Sequence, residues 1–478
     1  MAPNRRRTGV VNCRNRRVKC DEARPVCGRC RSRNLDCSAP DFIVHDRRST
    51  RPPRITRRRQ AEAEQSIVSS PTLPATPEST YDVFRQVQLV QSPVAGAIPP
   101  PAESQSPVIT EEVLDLVRKY QSGIGAWMDV LDHSSTYRRQ VTRRAASSAL
   151  LMYSICALSA KQMSLVGEHS AWEPVAGRFY GQSLRLLIHD LSRLDTSYGE
   201  VLVATILLSS YELLAVPGPE YRRHLEGVSS LLRSHQLSSV SADLDRASFW
   251  IYARHDVAMA LINYCPPLIA TSEWPDAIAS RDSAEDAMGN QVLWLLARVI
   301  ELRFTPLSSS SSTDNHEQNL RQVGQEVDKW WDELPLTSHG LSSGEQSGDG
   351  LSQLWFCAQS AAAGLLYYHV AKILLLEASL HGSQETIPGR EHYGNGSCIE
   401  QLHSQSRSIA SICFSPGMDD GVLVVAVNPL YYAAKYAPSL SLKVRIWALL
   451  DKIETGLGFH TRSRVMELQR ELESQIGT

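Results

Sequence analysis

Five of the ten cysteines lie within the first 37 residues of the chain, and their thiolates are well suited to bind a metal ion. Their number is odd and no apolar secretory signal precedes them, so we do not expect a disulfide framework. Two of them stand in the C-x2-C spacing typical of a metal-binding knuckle. The five are Cys13, Cys20, Cys27, Cys30 and Cys37.

The five cysteines follow an internal repeat of 17 residues, since a shift by that length superimposes the first two on the last two. The repeated pattern is C-x2-C-x6-C, and it requires a sixth cysteine opposite Cys27, where Val10 stands instead. Residues 10–37 contain too few large aliphatic side chains for an apolar core, so we expect metal binding to supply the folding free energy. In the alternative, these are free thiols in a basic tail and the repeat is a coincidence.

Charge is divided unevenly along the chain. Residues 1–60 hold 18 Lys and Arg against 5 Asp and Glu, a net charge of +13, and the remainder carries −15. A basic arm on an acidic body favours a polyanion as the partner of the arm alone. Seven arginines between Arg47 and Arg59 form a second basic tract, for which phosphate contacts, a nuclear localisation signal and a solvated linker all remain open.

The sequence around the cysteines resembles the fungal binuclear zinc cluster. The resemblance is carried by Thr8-Gly9, by Cys13-Arg14-Asn15-Arg16-Arg17-Val18-Lys19-Cys20 and by Arg24-Pro25-Val26-Cys27. It implies two zinc ions held by six thiolates. Here it assigns one zinc ion to Cys13, Cys20 and Cys27 and the other to Cys27, Cys30 and Cys37. The first of the ligands that both zinc ions share falls on Val10. Each zinc ion therefore lacks its fourth thiolate, and we expect a weakened cluster.

The same resemblance implies that the arm binds double-stranded DNA, typically at CGG triplets. It places Arg16 and Arg17 at base edges in the major groove, where an arginine can donate two hydrogen bonds to guanine. We expect Arg14 and Lys19 on phosphates, which position the protein without specifying a sequence. A solvated basic face is the alternative for these four side chains.

Composition divides the chain into three parts: a zinc-cluster module at 8–37, a basic tract with a linker at 38–110, and a large domain at 111–478. The Ser- and Pro-rich linker is predicted to be disordered, and all nine tryptophans lie beyond residue 110. Apolar residues recur there at helical spacing, so the predicted fold is mainly α. Helical patterns cover about 111–132, 141–165, 172–194, 200–215, 221–234, 245–264, 286–304, 317–333, 352–378, 440–456 and 465–472.

Several local patterns refine this prediction. The pattern at 172–194 forms one apolar stripe, whereas the β-branched run Val422–Val427 is the one strand signal. The uncharged stretch Gly350–Ala371 has membrane length but carries polar side chains, so we predict a buried helix there. The stripe consists of Tyr180, Leu184, Leu187, Leu191 and Leu194, and exposed loops are predicted at Ser308–Ser312, Ser338–Gly350 and Gly382–Gly396.

No catalytic motif stands out in the large domain, so an enzyme is not expected. The segment Arg254–Asp256 is interpreted as a buried polar network rather than a ligand site. Trp330 and Trp331, flanked by acidic residues, are predicted to be buried by an amphipathic helix rather than to form an activation patch. The histidines His224, His235 and His255 are interpreted as core or surface residues.

The large domain resembles the fungal-specific transcription factor domain. Three strings carry the resemblance: Tyr221–Gly227, Phe249–Asn263 and Asn428–Tyr432. The resemblance implies an all-α regulatory domain that in some members senses an effector. Gln60–Gln65 is too short for the coiled coil found after many such clusters, so we expect any homodimer to form through the helical domain.

These observations lead to one hypothesis and one alternative. The hypothesis is a nuclear, sequence-specific DNA-binding regulator of RNA polymerase II transcription, with zinc as cofactor and no membrane partner. The resemblance suggests a metabolic or secondary-metabolite gene cluster as its target. In the alternative, the protein is a regulatory interaction protein whose autonomous DNA binding is impaired by Val10.

Overall fold

The computed structural model describes residues 106–167, 170–192, 198–215, 222–234, 243–274, 284–306, 313–346, 348–382 and 393–476. The predicted zinc cluster at 8–37 and nearly all of the predicted linker at 38–110 lie outside these residues. His235 and Leu194 lie outside them as well. The described residues therefore belong almost entirely to the large domain.

The described part of the large domain is mainly α, as predicted. Most of the helices coincide with the helical patterns in the sequence, while Tyr393–Phe414 and Val427–Lys435 are helices that the patterns missed. The helices are α1 Glu111–Ser122, α2 Ile124–Met128, α3 Thr142–Ala145, α4 Ala149–Leu165, α5 Glu173–Leu191, α6 Tyr198–Ala215, α7 Arg222–Ser234, α8 Asp243–Asn263, α9 Glu285–Phe304, α10 Thr313–Asp332, α11 Gln359–Gly382, α12 Tyr393–Phe414, α13 Asp420–Val425, α14 Val427–Lys435, α15 Leu440–Leu457 and α16 Arg462–Ile476.

Helix boundaries follow local capping chemistry. The hydroxyl oxygens of Thr110, Ser148 and Ser439 accept hydrogen bonds from the first turns of α1, α4 and α15, which satisfies a backbone donor that the helix itself leaves open. At the other end of α15, Gly458 has a φ of 86°, a left-handed conformation that glycine adopts without a steric penalty.

The centre of the domain consists of helices without a polar face. In α4, nearly every residue from Ala149 to Gln162 is buried, and α11 is buried continuously from Ser360 to Ala371. Helices of this kind have no side that can face water. They contact α1, α5 and α6 around α4, and α9, α10 and α12 around α11. The outer helices, such as α1 and α10, carry the charged faces.

The tryptophan pair in α10 is buried as predicted. Trp330 is 4% exposed and its indole N–H donates to the carbonyl oxygen of Met288 at 3.1 Å. Trp331 is half-buried and stacks on Tyr368 of α11, with ring centroids 4.6 Å apart. The acidic neighbours lie on the outer side of the helix, so the pair anchors α10 to the core.

A β-hairpin occupies part of the segment predicted as a loop, and it also shortens a predicted helix. β1 Leu341–Gln346 pairs antiparallel with β2 Ser352–Trp355, so α11 begins at Gln359 rather than near residue 352. The backbone N–H groups of Ser352 and Leu354 donate to the hydroxyl oxygens of Ser411 in α12 and of Ser415 just after it, at 3.1 and 2.8 Å. These side-chain acceptors take the place of a third strand beside β2.

The strand signal at Val422–Val427 is wrong, because these residues belong to α13 and to the start of α14. Gly421 of α13 lies directly against Trp127 of α2, where a side chain at position 421 would come within 3.3 Å of the Trp127 Cα atom. Burial against α2 therefore decides the conformation over the β propensity of valine. Pro429 lies in the first turn of α14, where a missing N–H group costs little.

The predicted stripe on α5 is only partly correct. Leu187 is buried, but Tyr180 and Leu184 are half-buried and Leu191 is 37% exposed. The buried side of the helix instead consists of Ala176, Phe179, Ser183 and Leu187. Two residues of this row, Ala176 and Ser183, are small or polar. A pattern of large aliphatic residues therefore does not identify it.

Two described helices are long and apolar enough to cross a membrane, Tyr198–Ala215 and Gln359–Leu380. Their most apolar windows are 61% and 78% buried inside the protein, which is typical of core helices in a soluble domain. The second window contains most of the stretch Gly350–Ala371, whose helical part is buried as predicted.

Two glycines allow α9 and α11 to cross closely. A Cβ atom at Gly364 would lie 3.2 Å from the Cα atom of Gly289, so backbone meets backbone at this point. We expect Gly364→Val to push the helices apart and lower the free energy of unfolding by about 1–3 kcal/mol. Gly324→Ala in α10 is the control, because its nearest neighbour, Leu375, lies at an ordinary 3.7 Å. Urea unfolding of the two variants should show a loss for Gly364→Val and none for Gly324→Ala.

Candidate functional site

A cavity of about 230 Å³ lies where α2, α6, α8, α11, α14 and the turn between α15 and α16 meet. Its wall is mostly aliphatic and aromatic, and its lining residues include neither Asp nor Glu. The apolar wall is built by residues such as Trp127, Leu213, Leu261, Val370, Val424 and Phe459. The polar groups on the wall are few, and the basic ones are Arg254, His255, His460 and Arg464.

Arg254 of α8 brings an incompletely paired charge to the cavity. Its Nη2 atom donates to the carbonyl oxygen of Met128, whereas Nη1 is buried and donates to no group within the described residues. The carboxylate of Asp129 lies nearby, but it accepts the backbone N–H groups of Tyr137 and Arg138 at 2.9 and 2.7 Å instead. Burial lowers the pKa of Arg254, because the charged form is poorly solvated there.

Arg464 of α16 is the second guanidinium on the wall. It lies over the ring of Tyr431, 3.8 Å from the centroid, and its Nη1 atom donates to the amide oxygen of Asn428 at 3.3 Å. Its Nε atom is buried and donates to no group among the residues that the structure describes. Both arginines therefore keep one buried N–H donor without a protein partner.

Two imidazoles also line the wall. His460 contacts the carbonyl oxygen of Leu214 at 2.8 Å through Nε2, which must therefore carry a hydrogen. His255 borders the cavity yet is surrounded by protein, and burial together with the adjacent Arg254 lowers its pKa to about 3. His255 is consequently uncharged at neutral pH and can donate or accept a hydrogen bond.

Asp256 has a different role from its two neighbours. Its carboxylate is fully buried and accepts hydrogen bonds from the backbone N–H groups of Leu268 and Ile269 and from the Tyr252 hydroxyl. The interpretation of Arg254–Asp256 as a structural network is therefore confirmed for Asp256. For Arg254 and His255, which line the cavity, the interpretation stays a prediction. Arg254 and Asp256 are two positions apart on α8, so their side chains point about 200° apart around the helix axis. The sequence itself therefore places these two side chains on different sides of the helix.

The other functional residues predicted from the sequence are the ligands and DNA contacts at positions 13–37, which lie outside the described residues. The donor set itself fits zinc, because five closely spaced thiolates are the soft ligands that structural zinc prefers. Within the described residues, no group of three or more His, Cys, Asp or Glu side chains could hold a metal ion. The described cysteines Cys156, Cys357, Cys398 and Cys413 are free thiols.

Comparison with protein families yields two matches. Residues 115–469 match the model of the fungal specific transcription factor domain, and residues 11–43 match the fungal Zn(2)-Cys(6) binuclear cluster domain. The second match begins one residue after Val10. This cluster domain contains two zinc ions, which makes zinc the cofactor of the segment.

Three curated proteins are similar to parts of this chain. The transcription activator AMTR1 of Alternaria alternata is 21% identical over 500 aligned positions, which cover 77% of this chain and 64% of that protein. The transcription factor lfc1 of Flammulina velutipes is 35% identical over 98 positions, or 20% of this chain and 34% of that protein. Sterol uptake control protein 2 of Saccharomyces cerevisiae is 34% identical over 86 positions, or 18% and 9%.

The matched regions span less than two thirds of the length of each of these relatives. No solved structure matches the chain significantly.

The lowered pKa of His255 predicts an acid-dependent loss of stability. The unfolded chain binds a proton at this histidine near pH 6.5, whereas the folded protein does so only near pH 3. The stability that neutral His255 contributes is thus complete above pH 6.5 and lost as the pH falls towards 3. We expect His255→Gln to remove roughly 1–2 kcal/mol of the stability lost between pH 6.5 and pH 5.

Urea unfolding at these two pH values measures this difference. His316→Gln, which removes a half-buried imidazole outside the cavity, is the control. An unchanged pH dependence in the His255→Gln variant would contradict the prediction.

Proposed function

This chain belongs to the family of fungal transcription factors with a fungal specific transcription factor domain, and we propose that it is a sequence-specific DNA-binding regulator of RNA polymerase II transcription. The observation that carries the proposal is the match of residues 11–43 to the binuclear zinc cluster, on an arm with a net charge of +13. The family is one of transcription factors, which are not enzymes. The proposed place of action is the nucleus.

In this proposal the zinc cluster positions a short basic helix in the major groove. Cys13, Cys20, Cys27, Cys30 and Cys37 are the proposed zinc ligands, and thiolate binding fixes the fold of a segment that has no apolar core. Arg16 and Arg17 are proposed to bind guanine edges at CGG-containing sites, while Arg14 and Lys19 neutralise phosphates. The division into 8–37, 38–110 and 111–478 belongs to the same proposal.

Regulation is proposed to reside in the helical domain, which would also provide any homodimer contact. Family resemblance supports a metabolic or secondary-metabolite gene cluster as the target.

A second candidate is favoured by one specific observation, the valine at position 10. An isopropyl group cannot coordinate a metal ion, and structural zinc is nearly always four-coordinate. A chain with a weakened cluster would act as a regulatory interaction protein that reaches DNA only through a partner. The two candidates differ in whether the purified chain binds a CGG-containing duplex by itself.

The basic arm predicts two separable effects on DNA binding. Affinity for a CGG-containing duplex should fall steeply with salt, because each phosphate contact releases counterions. Arg17→Ala should cost about 1–3 kcal/mol of discrimination between CGG and a mutated triplet. Arg33→Ala, which removes the same charge from the second half of the repeat, is the matched control. Fluorescence anisotropy on both duplexes should show lost discrimination for Arg17→Ala only, and equal discrimination in both variants would contradict the assignment.

Restoring the sixth thiolate should strengthen the cluster. We expect Val10→Cys to slow the release of zinc to a chelator and to raise DNA affinity, because the added ligand is shared by both metal ions. Val11→Cys adds a thiol at the adjacent, non-matching position and is the control. Zinc release followed with a colorimetric chelator compares the three proteins. If the natural chain retains two zinc ions as tenaciously as Val10→Cys, the missing ligand has no effect.

A further inference from the structure

We propose that the cavity between α8, α14 and α16 binds a compact apolar carboxylic acid, whose carboxylate is held by Arg254 and Arg464. The proposed site consists of residues of the helical domain, not of the zinc cluster or its DNA contacts. The proposal gives this domain a defined class of small-molecule effector.

The wall determines the apolar part of the ligand. Aliphatic and aromatic side chains from α2, α6, α8 and α11 form most of the lining, with Trp127 and Phe459 at 6.1 Å from each other on one side. Burial of an apolar body against such a wall is favourable by the hydrophobic effect. A volume of about 230 Å³ exceeds the ~150 Å³ cavities that bind benzene, yet it limits the ligand to a small molecule.

The charged residues on the wall determine the polar part of the ligand. The two permanently charged groups on the wall are both guanidinium groups, and no lining residue is acidic. Each keeps one buried N–H donor unused by the described residues, Nη1 in Arg254 and Nε in Arg464. A buried cation without a counterion is costly, and a carboxylate matches the planar fork of an arginine. A bound acid would therefore supply negative charge to a wall whose charged groups are both cationic.

Other ligand classes fit less well. An amine would add a third cation beside two arginines, and a neutral alcohol would accept a hydrogen bond without supplying negative charge. The two histidines do not change this balance, because His255 is neutral and His460 already donates through Nε2 to Leu214. His255 can offer the acid a hydrogen bond without adding charge.

The cavity also connects distant parts of the chain. Trp127, Arg254, Asn428 and Arg464 belong to four different helices or turns, and they meet only in the folded protein. A ligand that binds there stabilises the folded state alone, so binding should raise the melting temperature.

The test compares acids, alcohols and an amine of matched size on the full-length protein. Octanoate and 4-phenylbutanoate are the acids, with octanol, 4-phenylbutanol and octylamine as matched compounds. By isothermal titration calorimetry and thermal unfolding, at least one acid should bind at least tenfold more tightly than its alcohol and raise the melting temperature, and octylamine should not bind. If neither acid binds, or if the alcohols bind equally well, the proposal is overturned.

Variants locate the site. Arg254→Met and Arg464→Met should each weaken acid binding at least tenfold. Arg298→Met removes an arginine that pairs with Glu326 outside the cavity, and it should leave acid binding unchanged. Ala258→Trp fills the cavity from α8 and should abolish binding.

The Arg254→Met variant also controls for folding. Thermal unfolding without ligand must first show that the variant folds, because Arg254 also attracts the carboxylates of Asp129 and Asp132. Full acid affinity in a folded Arg254→Met variant, or in a folded Ala258→Trp variant, would overturn the proposal.

Discussion

Helices without a polar face impose the main constraint on this domain. α4 and α11 have apolar residues around their full circumference, so neither can lie at the surface without exposing a large area to water. Each must be covered on all sides, and this requirement accounts for the two sets of helices packed around them. It also explains the glycine contact between α9 and α11, because two enclosed helices must approach closely to exclude voids. The cavity is a place where this covering is incomplete.

The positions of most helices follow from the sequence, because long apolar periodic segments specify helices strongly. The errors occur where tertiary contacts decide. Val422–Val425 is helical where Gly421 lies against α2, and the hairpin at 341–355 is held by the hydroxyl groups of Ser411 and Ser415, which accept two of its N–H groups. Neither contact is visible in the local sequence. Tyr393–Phe414 lacks a strong apolar stripe near its start, where glycine, asparagine and serine prevail.

The candidate site, too, was predicted only in part from the sequence. The resemblance strings Phe249–Asn263 and Asn428–Tyr432 include several cavity residues, so the sequence identified the right segments. It did not separate Asp256, which holds the backbone after α8, from Arg254 and His255, which face the cavity. Arg464 and His460 were missed altogether, because the helical pattern near Val465 gave no reason to single out a basic side chain beside it. Only the folded chain shows that they line the same cavity as residues of α8.

The position of the last helix, α16, determines how a truncation of the chain would affect the domain. α16 follows a short turn in which Phe459 and His460 reach back to α6 and the cavity, and Arg464 lies over Tyr431 of α14. A premature stop codon placed just after α15 would spare almost the whole domain and the entire basic arm. It would nevertheless remove one wall of the cavity and expose the apolar residues behind it. Late truncations and frameshifts in this gene are therefore expected to damage the regulatory domain while the amino-terminal segment stays encoded.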